Sequence, residues 1–203
     1  MTRLFALFLA LLAVPAGAQI SLDELKTGVA ERTGELAEFE RILTSDDPAT
    51  VIAAMQLMIE KGDADQRRMA VRQGLFSADS AVRQTVLRAI FNSKPSLVIN
   101  MVPTADKPTN GYFNTIRSWQ GSRQDDNSGS IVMRLTHFDA EQGCWFFEWG
   151  GRPYGCGAKM SGDVVSILFG SSWSQYTLNA EGQLTGNHTV EGNIVAATIS
   201  LVE

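Results

Sequence analysis

The spacing of apolar residues divides the chain into a helical first half and a β-rich second half. Between residues 20 and 92, apolar side chains recur every three or four positions, the period of a helix that buries one face. From residue 111 onward, short runs alternate between two faces, which is typical of half-buried strands. This order predicts an α+β protein in which an N-terminal domain of antiparallel helices precedes a small antiparallel β domain.

The first predicted helix begins at Ser21, which forms an S-x-x-E capping box with Glu24. Apolar residues then recur every seven positions, with a second row beside them: Leu22, Val29, Leu36 and Leu43, then Leu25 and Phe39. Such a seam fits a coiled-coil contact with a second copy, or an amphipathic helix packed on its own domain. Because Arg32 interrupts the seam and only about three heptads are present, the second interpretation is favoured.

Three further helices are predicted between residues 47 and 92. Their candidate caps are Asp47 with Pro48, then Asp63 or Asp65, then Ser77 or Asp79. The run 79–90, with its acidic cap and Val82-Arg83 pair, resembles the second half of a HEAT repeat. For residues 47–92 this resemblance implies stacked antiparallel helices that offer a surface to another macromolecule. A plain helical bundle is the alternative.

The second half of the chain predicts seven or eight short strands. Ile131, Met133 and Leu135 alternate with residues of the opposite face, the signature of a half-buried strand. Six other runs are predicted strands: 113–119, 144–149, 154–160, 163–169, 173–178 and 193–202. This spacing predicts a β-sandwich or a barrel. Residues 176–186 are similar to hairpins of lipocalin-like and avidin-like barrels, a resemblance that implies no ligand.

The two halves are expected to be separate domains, 19–92 and 111–203. Pro95, Pro103 and Pro108 fall within residues 93–110 and predict a linker between them. Residues 1–18 are expected to be a secretory signal peptide. Arg3 precedes an apolar run that is too short to span a membrane, and Ala16-Gly17-Ala18 suits cleavage before Gln19. An uncleaved anchor is disfavoured, so the mature protein is expected to be periplasmic or secreted.

Cys144 and Cys156 are the 2 cysteines of the chain. In an exported protein they predict a structural disulfide across a hairpin around Gly150. A redox-active pair would need C-x-x-C spacing, and two sulfurs with two distant histidines make a poor zinc site. Closing so short a loop is expected to stabilise the fold by roughly 3 kcal/mol.

Charge and motifs exclude several classes of function. With 17 Lys+Arg against 22 Asp+Glu, the net charge of -5 disfavours nucleic acid and anionic membrane surfaces as partners. The common nucleophile, phosphate-loop, dinucleotide and zinc-protease motifs are absent, so no cofactor is predicted. A metal at His137, Asp139 and Glu141 is disfavoured against an ordinary polar turn. Catalysis is uncertain and less expected than binding.

Aromatic residues supply the remaining candidate chemistry. Trp145, Trp149, Tyr154 and Trp173 are predicted to bind a ligand, because ring faces beside polar groups suit sugars and protein hot spots. The alternative is that these rings fill the core. The prediction is an exported, non-catalytic cell-envelope protein that engages a protein or a glycan, in an oligomeric state that the sequence leaves open.

Two alternatives to a binding protein remain. One is a hydrolase of envelope polysaccharide with Glu148 as its weak candidate acid, since that residue lies between Phe147 and Trp149, and with Asp163 as a partner. The other is an inhibitor of a secreted enzyme that uses the turn at residues 150–153 as a wedge.

Overall fold

Residues 20–201 are described by a computed structural model, in which helices precede and interrupt an antiparallel sheet. The helices are α1 Leu22–Leu43, α2 Pro48–Lys61, α3 Ala64–Leu75, α4 Ser80–Asn92 and α5 Asn110–Ser118. The strands are β1 Ser96–Pro103, β2 Ser122–Arg123, β3 Gly129–Asp139, β4 Cys144–Trp149, β5 Arg152–Ser161, β6 Val164–Phe169, β7 Ser172–Leu178, β8 Gln183–Val190 and β9 Asn193–Ser200. The predicted signal peptide, residues 1–18, lies outside the described residues. Across residues 20–201, none of the helices is both long and apolar enough to cross a membrane.

The described residues divide into two units, 20–37 and 38–201. In the first unit, the capping box is confirmed: the Ser21 N–H donates to Glu24 Oε2 at 2.9 Å, and the Glu24 N–H to Ser21 Oγ at 3.2 Å. Leu22, Leu25 and Val29 are all exposed on this part of α1. In the second unit, Phe39 packs against the core and Leu43 is buried. The seam predicted for α1 is therefore buried only at its C-terminal end.

The acidic caps of the next three helices are confirmed. Asp47 accepts from the N–H groups of the first turn of α2, Asp63 forms a capping box with Gln66, and Asp79 accepts from the Ala81 N–H. These three helices pack on one another through buried residues that include Met55, Ile59, Ala70, Leu75, Val86 and Leu87. Three packed helices suit a bundle as well as a HEAT-like stack, so the HEAT-like interpretation stays a prediction.

The sheet closes into an antiparallel barrel. Its strand order is β1-β9-β8-β7-β6-β5-β4-β3, with β2 added beside β3, and β1 also pairs with β3. That closing pair runs from Ser96 opposite Arg134 to Met101 opposite Gly129. The α+β class is confirmed, and of the two predicted β architectures the barrel is the one that forms.

The interior of the barrel is filled by side chains. Inward residues on all eight strands of the ring are at most 2% exposed: Leu97, Ile99, Met101, Ile131, Met133, Leu135, Phe147, Ala158, Ile167, Tyr176, Leu184 and Ile199. Eight strands enclose just enough space for such a core, or for one small ligand. Here side chains fill that space, so a ligand can bind only at the ends of the barrel or on its outer wall.

Two segments differ from their sequence prediction. Residues 93–110, the predicted linker, contain β1, which pairs with both β3 and β9. The run 113–119, predicted as a strand, lies mostly in α5, so that prediction was wrong. The Thr109 hydroxyl caps this helix by accepting from the Tyr112 N–H, and Tyr112 and Ile116 form its buried face. Tyr112 and Ile116 lie four positions apart, which is a helical spacing. In this segment it decides the structure over the short alternation of apolar and polar residues that predicted a strand.

A different helix lies against each end of the barrel. At one end, Arg83 of α4 pairs with Asp163 at 3.2 Å, and Asn92 accepts from the Trp145 indole N–H at 3.0 Å. At the other end, the Tyr112 hydroxyl of α5 lies 3.2 Å from the Asn127 carbonyl, which precedes β3. The end beside α5 also carries the turn between β4 and β5, where the exposed aromatic residues lie.

Replacing Gly74 by alanine is expected to destabilise the second unit, although alanine favours helices. A Cβ at this position would overlap the buried side chain of Val86 in α4. Overpacking costs about 1–3 kcal/mol and the helix gains up to about 1 kcal/mol, so Gly74→Ala should lower the free energy of unfolding by about 1–2 kcal/mol. Urea denaturation measures this. Gly34→Ala is the control, because a Cβ there has nothing within 4 Å; equal stability of Gly74→Ala and wild type would contradict the packing of α3 on α4.

Candidate functional site

The hairpin between β4 and β5 is shaped by two glycines and two bulges. Gly150 has φ 58° and Gly151 φ 74°, which are the positive values that a tight two-residue hairpin turn requires. This turn places Trp149 opposite Arg152. The register shifts after Trp145 and again after Phe147, and such bulges increase local twist and redirect side chains. The hairpin therefore ends in a fixed geometry.

A disulfide joins the two strands of this hairpin. Cys144 and Cys156 are bonded, with their Cα atoms 5.8 Å apart, a usual separation for bridged cysteines. The predicted disulfide is confirmed. On β4, Cys144 lies beyond both register shifts, whereas on β5 Cys156 lies opposite Phe146, between them. The disulfide therefore spans one irregularity, and the other lies between it and the Gly150-Gly151 turn.

Trp119 is the C-cap residue of α5, and its ring contacts aromatic rings from three strands. Its ring stacks on Phe147 at 5.7 Å and lies 4.8 Å from Phe169. It also lies 5.6 Å from Trp149 and 6.4 Å from Tyr154. The result is one continuous aromatic cluster at the α5 end of the barrel.

Two rings of this cluster face solvent, and we call Trp149 and Tyr154 the aromatic corner. Trp149 is 36% exposed and Tyr154 51%, against 8% for Trp119 beneath them. The two exposed rings are 5.7 Å apart, with planes at 88°. The two rings therefore pack edge to face, and each also contacts the buried ring of Trp119. Large aromatic surface exposed in this way commonly marks a binding site.

Of the four predicted ligand-binding residues, the structure brings two together. Trp145 is 1% exposed and packs against Phe91 at the α4 end, so its ring belongs to the core. Trp173 is exposed on β7, where Lys159 Nζ lies 5.4 Å from its ring centroid. No described ring contact joins Trp173 to the aromatic corner. Trp119 was not among the predicted ligand-binding residues, because its position beside Phe147 and Phe169 depends on packing between distant parts of the chain.

The predicted carboxylate pair is not assembled. Glu148 Oε1 lies 3.2 Å from Arg134 Nη1, so its surroundings are charged rather than apolar. Asp163 is held by Arg83 at the other end of the barrel. Glu148 faces the start of β5 and Asp163 follows its end; at about 3.3 Å per residue, this 10-residue strand is roughly 30 Å long. Glycoside hydrolysis needs its two acids about 5–10 Å apart.

The residues considered for a metal have other roles. The Asp139 carboxylate accepts from the backbone N–H groups of Glu141 and Gln142, both at 2.9 Å, and so closes the turn before β4. His137 stacks on Phe146 at 4.8 Å. Among the residues that the structure describes, no cluster of three or more His, Cys, Asp or Glu side chains could hold a metal ion.

A cavity of about 200 Å³ adjoins the aromatic cluster. Phe169 belongs to both, and the other lining residues include Thr115 of α5, Ser171, Ser172 and Thr189. Hydroxyl groups therefore surround a small space next to the aromatic surface. The α5 end of the barrel thus offers aromatic faces and hydrogen-bonding groups close together.

Comparison with family models, with curated proteins and with solved structures finds no match to this chain.

One titratable group lies inside the barrel close to this end. His188 is buried with its ring 5.4 Å from Phe169. Because a carbonyl oxygen can only accept, His188 Nε2 carries the proton and donates to the Phe169 carbonyl at 3.1 Å. Its Nδ1 has no hydrogen-bond partner. Burial lowers the pKa of His188, while the hydrogen bond to Phe169 opposes that shift.

The free energy of unfolding should fall as the pH drops from 7.5 to 5.5. With its folded-state pKa lowered, His188 takes up its proton more readily in the unfolded chain, near pH 6.5, and protonation then favours unfolding. His188→Gln keeps a donor for the Phe169 carbonyl and removes the titration. Urea denaturation at the two pH values should show a smaller loss in this variant than in the wild type. Parallel losses in both proteins would mean that His188 does not titrate differently on folding.

Proposed function

We propose that the protein is an exported, non-catalytic binding protein of the cell envelope whose aromatic corner binds a glycan. The observation that carries this proposal is the right-angled pair of exposed rings, Trp149 and Tyr154, supported from below by the buried Trp119. Each exposed ring is held by a ring beneath it: Trp149 contacts Trp119, and Tyr154 contacts Phe147.

The site is organised before any ligand arrives. The Gly150-Gly151 turn, the two bulges and the Cys144–Cys156 bond all constrain the hairpin that carries both exposed rings. A binding surface whose geometry is already fixed loses little conformational entropy on association. About half of Tyr154 and a third of Trp149 are exposed to water, so the free protein lacks the stabilisation that burying this apolar surface would give. Ligand binding would bury it.

A glycan fits the chemistry of this end of the barrel. The flat face of an aromatic ring accepts the apolar face of a sugar, and a pocket of this kind needs a few polar groups to fix the orientation of its ligand. Arg152 lies opposite Trp149, and the hydroxyls of the adjoining cavity are close to Phe169. Stacked nucleobases are disfavoured because the chain carries a net charge of -5.

The other proposed functions have less support. A protein partner could use the same two rings as hot spots, and competition by a glycan distinguishes the two ligands. A wedge-like inhibitor would use the same hairpin turn. The carboxylate hydrolase would need Glu148 and Asp163 together, and these two residues lie near opposite ends of β5.

The proposal includes export of the protein from the cytoplasm, and one structural feature, the disulfide, supports it. Disulfides persist in oxidising compartments such as the periplasm or the extracellular medium, and the bond between Cys144 and Cys156 fits such a location. The predicted signal peptide agrees with this compartment.

Removing the aromatic corner should abolish glycan binding and leave the fold intact. Isothermal titration against a panel of neutral and acidic oligosaccharides should identify at least one ligand of wild-type protein. For that ligand, Trp149→Ala and Tyr154→Ala should each weaken binding by about tenfold, since a ring contact of this kind contributes about 1–1.5 kcal/mol. Tryptophan fluorescence should change on binding, because Trp119 and Trp149 lie in the site.

Trp173→Ala is the matched control, because Trp173 is an exposed tryptophan outside the cluster. It should bind the same oligosaccharide as wild type does. Equal losses in all three variants, or full binding by the Trp149→Ala Tyr154→Ala double variant, would contradict the proposed site. A panel without any ligand would contradict the choice of a glycan.

A further inference from the structure

A second cavity, of about 400 Å³, lies at the opposite end of the barrel from the aromatic corner. It opens between α3, the end of α4 and the adjoining ends of β1 and β9, all within the second unit. We call it the basal cleft. Its volume is within the range of pockets that hold small organic ligands, about 300–1,000 Å³.

The floor of the basal cleft is apolar. It consists of Ile59, Val71, Ile90 and Leu97, side chains that otherwise belong to the core between the helices and the barrel. Such a floor offers contact to a hydrocarbon chain and little to a free sugar or an inorganic ion.

The rim of the basal cleft is cationic, on a chain that is acidic overall. Arg67, Arg68 and Lys94 line it, and none of the described lining residues is Asp or Glu. Arg68 Nη1 lies 3.2 Å from Asp65 Oδ1, so an acidic residue offsets part of its charge. The net positive charge at the rim therefore comes mainly from Arg67 and Lys94.

The backbone and core hold these two cations at the rim. Arg67 Nε donates to the Ile59 carbonyl at 3.0 Å, which fixes the guanidinium beside the floor. Lys94 has φ 59°, a left-handed conformation that a non-glycine residue rarely adopts, and its N–H donates to the Phe91 carbonyl at 3.1 Å. Arg67 is thus held within α3 by a contact to α2, and the backbone of Lys94 is held in the connection between α4 and β1.

We propose that the basal cleft binds a small amphipathic anion. A carboxylate or phosphate head group would lie against Arg67 and Lys94, where charge-assisted hydrogen bonds to it are strong, and its apolar chain would lie on the floor. A cation of the same shape would be repelled by the rim. An anion without a chain would leave the floor unused, so charge and chain are both required.

Titration of the mature protein with octanoate and with octyl phosphate tests this proposal. At least one of these anions should bind, with an affinity that falls as salt is added. Octyltrimethylammonium carries the same chain with the opposite charge, and acetate and inorganic phosphate carry the charge without the chain. These three should bind at least tenfold more weakly.

Two variants and a control locate the binding. Lys94→Asn removes one rim charge with a residue that tolerates positive φ, and should weaken binding by about tenfold. Ser96→Trp fills the cleft from an exposed lining position and should abolish binding. Lys107→Asn removes an exposed lysine that does not line the cleft, and should bind as wild type does. Absence of binding by both anions, equal binding of the octyl cation, or wild-type affinity in Ser96→Trp would overturn the proposal.

Discussion

The pairing of β1 with β3 is the constraint on which the rest of the structure depends. It turns an open antiparallel sheet into a ring, because β1 already pairs with β9 at its other edge. Eight strands enclose an interior that large side chains fill, here with residues such as Met133, Phe147 and Tyr176. A closed and filled barrel leaves only its wall and its two ends for binding, and the helices α4 and α5 shape those ends.

The two ends differ in chemistry. Beside α5, the rings around Trp119 extend outward to Trp149 and Tyr154, and the glycine turn with its two bulges holds them. Beside α3 and α4, the core is bordered instead by Arg67 and Lys94 around an apolar cleft. One fold therefore presents an aromatic surface and a cationic amphipathic cleft. Two different classes of ligand would therefore bind at opposite ends of the same barrel.

Local features were predictable from the sequence, and long-range pairing was not. The caps at Asp47 and Asp79 follow from the neighbouring residues, as does the alternation around Met133. The position of β1 depends on partners in β3 that lie 28 to 38 residues away in the chain, which no local pattern shows. Alternation put Trp145 and Trp149 on one face of β4. Which of them faces water is decided by α4 and α5 at the strand's two ends, and α5 was predicted as a strand.

The most direct test of this account is the solvent accessibility of the four tryptophans, which are Trp119, Trp145, Trp149 and Trp173. The measurement is fluorine NMR on 5-fluorotryptophan-labelled protein with a soluble paramagnetic agent, with each signal assigned by substitution. The filled barrel predicts strong broadening for Trp149 and Trp173, weak broadening for Trp119 and none for Trp145. Strong broadening of Trp145, or a Trp149 signal as protected as that of Trp145, would contradict a filled barrel that presents its aromatic residues at the α5 end.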